Sequence, residues 1–284
     1  MGVVNRLRRI KSGIELFKLA YRDGGVKSIQ VSKLSSGKLL EGKKIVITGG
    51  GSGIGLAIAK AALKQGGRVI ITGRNFDKLQ KAKNSLGVDG IFCLEWDISN
   101  VSQVESKILE CESILGEKID ILVNNAGIQP QKFFPYVDEE EWDEIYSVNS
   151  KGTYFICEEL CKYWMSNPSN EYRKLINISS QGGFVGATYP YRMSKWDIRG
   201  LTEGLGMEMA KYGVLVNGIA PGVIRTEMQA FSLKQENNMY CNQNPLSRIG
   251  LPEEIAELAV FMMSDLCNFI VGQTIVVDGG FVLK

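Results

Sequence analysis

The stretch KIVITGGGSGIGLAIAKAAL, residues 44–63, constrains this chain more than any other. A β-branched apolar run passes directly into a turn with glycines at 49, 50, 51, 53 and 55. An alanine-rich helical segment follows at once. A glycine turn lets backbone N–H groups approach a bound group closely, and the helix N-terminus behind it carries partial positive charge. A flexible glycine loop is the plain alternative. The strand–turn–helix context instead fits a turn that cradles a pyrophosphate.

The rest of the chain repeats that alternation. Apolar runs stand at 44–48, 68–72, 91–94, 121–124, 174–179, 214–219 and 274–278. They are rich in Val and Ile and apolar on both faces, as strands covered by helices on each side must be. Helical segments are expected at 54–65, 76–86, 101–115, 141–165, 192–211 and 252–264. This predicts an α/β fold, a doubly wound (Rossmann) seven-stranded parallel sheet with helices on both faces. One domain, 42–284, is expected, preceded by a helical extension, 1–41.

Composition narrows the chemistry. The net charge of +2 argues against nucleic-acid binding by the molecule as a whole. No run approaches 18 apolar residues, so no membrane span is expected. The chain has no histidine, which excludes Ser–His–Asp and Cys–His catalysis and imidazole-ligated zinc. The six cysteines, at 93, 111, 157, 161, 241 and 267, form no CxxC, and no metal site is expected. Cys157 and Cys161 share a helix face and read as packing rather than metal ligands.

Further motifs follow the glycine turn in order: WDIS with Asp97 and Ile98, NNAG at 124–127, SVNS with Asn149, and SS at 179–180. After them come YRMSK with Tyr191 and Lys195, PG at 221–222 with Ile224 and Thr226, RIGLPEEIA from 248, and VVDGG from 276. Together with TGxxxGxG, this series resembles the short-chain dehydrogenase/reductase family over roughly residues 42–284. The resemblance implies a catalytic set of Asn149, Ser180, Tyr191 and Lys195. It also implies a nicotinamide cofactor held by several groups of residues. Thr48, Gly49, Ser52, Gly53, Ile54 and Gly55 form the turn, and Asp97 and Ile98 lie beside the adenine. Asn125, Ala126 and Gly127 brace the central strand, and Pro221, Gly222, Ile224 and Thr226 close on the nicotinamide. Tyr191 and Lys195 are expected to touch the cofactor as well. The interval from Ser180 to Tyr191 is 11 residues, slightly short for the family.

A Tyr–Lys pair can replace histidine. Residues i and i+4 share a helix face, so Tyr191 and Lys195 point the same way. Two unit charges ~4 Å apart at an effective dielectric near 20 interact by about 4 kcal/mol, which would lower a phenol by up to about 3 pKa units. On this reasoning Lys195 lowers Tyr191 towards neutrality. Tyr191 then gives the substrate oxygen a proton, Ser180 donates a second hydrogen bond, Lys195 also holds the nicotinamide ribose, and Asn149 anchors a water leading to Lys195. Ser179 competes with Ser180, because strand alternation turns only one of them to the cleft. Tyr189 competes with Tyr191 only by proximity.

For the cofactor, the second strand ends IITGRN. Gly73 stands where an NAD-binding carboxylate would be, and Arg74 follows. A guanidinium pairs with a 2′-phosphate, so NADP(H) is favoured over NAD(H). Asp77, in the next helix's first turn, reads as serving the helix dipole.

The expected partner is a small carbonyl or alcohol: a 3-oxoacyl thioester, a keto-sugar acid or a steroid-like ketone. Residues 225–250, with Phe231, Gln235, Met239 and Tyr240, are expected to form the substrate loop. A homo-oligomer, dimer or tetramer, with cytoplasmic localisation is expected. Residues 3–22 read as a basic amphipathic helix. Docking on the protein's own subunits, peripheral membrane contact, and a flexible or targeting tail stay open for it. A non-catalytic sensor or scaffold of the same fold is the alternative function.

Overall fold

The computed structural model describes residues 37–226 and 239–283. The expected helix at 3–22, together with Phe231 and Gln235 of the expected substrate loop, lies outside the described residues.

Seven strands build one sheet: β1 (Lys44–Thr48), β2 (Arg68–Gly73), β3 (Ile91–Glu95), β4 (Ile121–Asn124), β5 (Arg173–Ile178), β6 (Val214–Pro221) and β7 (Thr274–Val277). Their order is β3-β2-β1-β4-β5-β6-β7, and every pair is parallel. The registers include Ile45 opposite Val69 and Ile121. Chain direction across the sheet reverses between β1 and β4, which opens a crevice at the carboxyl ends of these strands.

Side-chain alternation along β1 divides the interior. Ile45 and Ile47 face one core with α1 (Gly53–Lys64), α2 (Phe76–Leu86) and α7 (Pro252–Met263). Val46 faces the other core with α3 (Val104–Leu115) and α5 (Thr153–Ser166), where Trp164 is the largest buried side chain. Cys111, Cys157 and Cys161 are buried in this second core. Burial pushes all three thiols up, Cys111 and Cys161 to about 12, as befits packing groups.

Three details depart from the sequence reading. Leu40, assigned there to the extension, is fully buried in the first core. Backbone bonds from Gly37, Leu40 and Gly42 to the carbonyls of Lys64, Gln65 and Gly66 tie this segment to the end of α1. The single helix expected over 141–165 is instead α4 (Glu139–Tyr146) and α5, joined by a π-helical turn at Ser147–Gly152. There, a Cβ on Gly152 would lie 2.4 Å from the Ile98 carbonyl, so only glycine lets the turn sit this close. Finally, α6 (Pro190–Met209) starts two residues early, because Pro190 occupies its first turn, where a missing N–H costs nothing.

Candidate active site

The crevice is a cleft of about 760 Å³. At its floor is the glycine turn. Gly49 and Gly53 hold φ of 64° and 55°, and a Cβ on Gly49 would lie 2.8 Å from Ala126 Cα. Gly49, Ser52, Gly53 and Ile54 line the cleft, as do Asn125, Ala126 and Gly127 of the loop after β4.

Thr48 and Gly55 do not reach the wall, contrary to their expected cofactor contact. Thr48 is buried, and its Oγ1 accepts from the backbone N–H groups of Asn125 and Ala126 at 3.0 and 3.1 Å. A Cβ on Gly55 would lie 2.5 Å from Asn125 Nδ2, which donates to the carbonyls of Thr48 and Gly49. Both residues shape the turn from behind.

Beyond β2 the wall is made by Gly73, Arg74, Asn75 and Lys78 on one side, and by Trp96, Asp97 and Ile98 on the other. Asn75 caps α2, accepting from Lys78 N at 2.9 Å, which fixes Lys78 in the first turn. Asp77 lies in that first turn too and is not part of the wall. Asp97 accepts from Ser99 N and Oγ at 3.0 and 2.8 Å, and so is held in place. Thr72 Oγ1 and Trp96 Nε1 are buried without a protein partner, and both residues line the cleft. Buried polar atoms seldom go unpaired, so a wall with two of them suits a polar ligand. The left-handed glycines, the helix terminus and these two atoms fit a dinucleotide.

At the opposite end, Ser180, Tyr191 and Lys195 converge. Ser180 ends the strand segment in extended geometry and caps a 3-10 turn, Gln181–Phe184, accepting from Gly182 N at 3.1 Å. This tight turn, with only residues 185–189 between it and Pro190 at the start of α6, accommodates the short interval to Tyr191. The Tyr191 phenol hydrogen-bonds with Ser180 and with Gln129, a residue not singled out from the sequence. Ser179 is buried, and its hydroxyl donates to the Lys195 carbonyl at 2.8 Å. Lys195 Nζ donates to the Ile178 carbonyl at 3.1 Å and stands 5.7 Å from the Tyr191 ring centroid.

Asn149 lies behind this end rather than on its wall. Its Oδ1 accepts from Ile128 N at 2.9 Å, and its Nδ2 donates to the Ile128 carbonyl at 3.0 Å and to Ser194 Oγ at 3.2 Å. The π-helical turn swings it inward against Gly127. A Cβ there would lie 3.2 Å from Asn149 Oδ1 and 3.5 Å from Lys195 Nζ.

Protonation differs from the sequence argument, which expects a lowered phenol. Burial pushes Tyr191 up, and the hydrogen bonds with Ser180 and Gln129 offset only part of that. Burial also pulls Lys195 down to about 8. Desolvation, which disfavours phenolate and ammonium alike, outweighs the pairwise attraction here.

The remaining wall is Pro221, Gly222, Ile224 and Thr226. Thr226 packs on the glycine turn, where a Cβ on Gly53 would lie 3.1 Å from its Cγ2.

A family model described as Enoyl-(Acyl carrier protein) reductase matches residues 49–282. The 3-oxoacyl-[acyl-carrier-protein] reductase FabG of Aquifex aeolicus is 34% identical over 247 residues, covering 85% of this chain and 98% of its own. The 5-keto-D-gluconate 5-reductase of Escherichia coli (strain K12) is 32% identical, covering 86% and 97%. Among solved structures, a short-chain type dehydrogenase/reductase from Mycobacterium marinum superposes with TM-score 0.77 at 28% identity, over 86% of this chain and 97% of that one. A 3-ketoacyl-(acyl-carrier-protein) reductase from Brucella melitensis complexed with NADH gives 0.76 at 29%, over 85% and 99%. The chain belongs to the short-chain dehydrogenase/reductase family.

As a short-chain dehydrogenase/reductase it is an oxidoreductase of CH–OH and C=O groups. Its cleft contains several residues that motif reading passed over: Lys78, Trp96, Gln129, Phe133 and Arg192. Lys78 was accessible to sequence reasoning, standing four residues past Arg74. Gln129 and Phe133 carry no local signal, because their place depends on where the loop after β4 runs. Among the described residues, no group of acids and cysteines could hold a metal, and no helix is long and apolar enough to cross a membrane.

Proposed function

We propose that this enzyme interconverts a ketone and its secondary alcohol with NADP(H), with Tyr191 as proton donor in reduction and acceptor in oxidation. The observation that carries the reading is the meeting of Ser180, Tyr191 and Lys195 at one end of a cleft whose other end presents Arg74 and Lys78. A phenol raised by burial is protonated at neutral pH, the form a donor needs. Bound in the cleft, the nicotinamide would supply or accept the hydride at carbon.

The chain's own groups handle the oxygen and the proton. Ser180 donates a hydrogen bond to the substrate oxygen while Tyr191 passes its proton to it. A buried ammonium beside Tyr191 stabilises the phenolate left behind. Lys195, already pulled to about 8, can return a proton near neutrality. Asn149 holds the Gly127–Ile128 loop against Lys195, and in this reading it also anchors a water leading to Lys195. Arg74 and Lys78 recognise the 2′-phosphate. No carboxylate stands at the end of β2 to repel it, and Asp97 is the one acid among the described lining residues. The non-catalytic scaffold reading is disfavoured because every group the chemistry needs is present.

We extend the proposal to a soluble homo-oligomer whose residues 3–22 dock on a surface, with subunits preferred over lipid. The deciding experiment is turnover of a ketone panel with NADPH and NADH, for wild type and Tyr191→Phe. Absence of hydride transfer to every ketone, or turnover by Tyr191→Phe above about a tenth of wild type, would refute the assignment.

A further inference from the structure

Resting on the ketoreductase reading, we infer that Arg192 makes the substrate end of the cleft a receptor for a carboxylate, so that the substrate is an oxo acid. Arg192 follows Tyr191 directly and sits with it in the first turn of α6. Neighbours on a helix point in different directions, but both side chains line the cleft, which places the guanidinium at the Tyr191 end.

The guanidinium is held rather than loose. One NH1 hydrogen goes to the Gly186 carbonyl at 3.1 Å, and the group stands 5.3 Å from the Tyr189 ring centroid. Tyr189 is itself set edge-on against Phe133, with centroids 5.0 Å apart. The stem is packed as well, since a Cβ on Gly182 would lie 3.1 Å from Arg192 Cγ. Among the described residues, the Gly186 carbonyl takes one of its five N–H donors.

No carboxylate among the described residues pairs with Arg192. The first turn of α6 contains no acid, and Asp97, the cleft's only described acid, lies at the adenine end. Among the described lining residues, the substrate end therefore combines Arg192, Lys195 and a helix N-terminus with no opposing charge. Phe133 and Tyr189 form an aromatic rim beside it. A rim of that kind alone would favour a neutral ketone, because a carboxylate pays to leave water. A pre-set guanidinium fork reverses the preference by binding both carboxylate oxygens. The charge lies close to the reacting centre, which suits an acid on the keto compound itself. A phosphate at the far end of a long carrier arm would sit elsewhere.

The test uses acetoacetate, 4-oxopentanoate and 5-oxohexanoate with their methyl esters, a series that scans the distance from carbonyl to charge. The readout is the ratio of kcat/KM for acid over ester, which cancels general damage to the enzyme. Wild type should favour the acid by about 10- to 100-fold at one chain length or more. Arg192→Gln should lose that preference, and Arg192→Lys should recover part of it as a point charge. Esters favoured throughout by wild type, or an acid preference that survives Arg192→Gln, overturns the inference. If wild type reduces the esters but no acid, the ketoreductase reading stands and this inference falls. Reduction of none of the six compounds overturns this inference, and the ketoreductase reading is then decided by the wider ketone panel.

Discussion

Lys195→Met separates the cost of the buried ammonium from its use. Lys195 is 5% exposed, and its ammonium's one described hydrogen bond goes to the Ile178 carbonyl. Its pKa falls from 10.5 to about 8 through burial alone. That difference of about 2.5 units, at ~1.36 kcal/mol each, means the charged lysine costs the fold about 3 kcal/mol at neutral pH. Methionine removes this cost but leaves the Ile178 carbonyl short of a donor, worth about 1–3 kcal/mol. The two effects nearly cancel near pH 7, so the variant should fold about as well as wild type while turnover falls by roughly 100-fold or more. The sign of the pH effect follows from proton counting. Between about 8 and 10.5 the unfolded lysine keeps its proton and the folded one releases it. The unfolded state therefore binds more protons, and wild-type stability rises with pH relative to the variant. From about pH 7.5 to about pH 9.5 the relative gain should be about 2 kcal/mol. Burial raises Tyr191 above its usual range, so the phenol keeps its proton over this interval in both proteins and adds little to the difference. Urea unfolding of both proteins across that range measures it. Parallel stability curves would refute the buried-cation argument, and retained turnover would refute the role of Lys195.

Further outcomes are expected. Tyr191→Phe should lower kcat more than tenfold yet leave NADPH affinity within a few-fold by fluorescence titration, because the hydroxyl acts on substrate oxygen rather than on ground-state cofactor binding. Arg74→Ala should weaken NADPH binding by about 10- to 150-fold and leave NADH nearly unchanged, the size of one lost charge-assisted contact; equal wild-type affinities for both cofactors would count against it. Leu40→Ala should cost about 2–5 kcal/mol in chemical denaturation, as a fully buried leucine does. By the same argument, removal of residues 1–36 should keep hydride transfer, whereas removal of 1–41 should cost stability.

The sheet was legible because its signal is local. Each of the seven runs is apolar on both faces and ends at a turn, so strand limits fell within one or two residues of those observed. The cleft's motif residues were legible for a related reason, since a glycine turn or a Tyr–Lys pair at i and i+4 needs no distant partner to be recognised. Long-range contacts decided the rest. The π-helical turn exists where Asn149 bonds Ile128, 21 residues away, and Gly152 meets the Ile98 carbonyl. Nothing periodic in 141–165 encodes that meeting. Arg173 and Lys174 open β5 as charges yet are buried, because the carbonyls of Trp164 and Asn167 and the side chain of Asn268 wait for them. Tyr191 is the same lesson in electrostatics. Its neighbour Lys195 could be read from spacing, but the depth of both groups could not, and depth reversed the direction of the shift. A protonated phenol beside an ammonium ready to give up its proton suits the reductive direction, where the donor must hold its proton until hydride arrives.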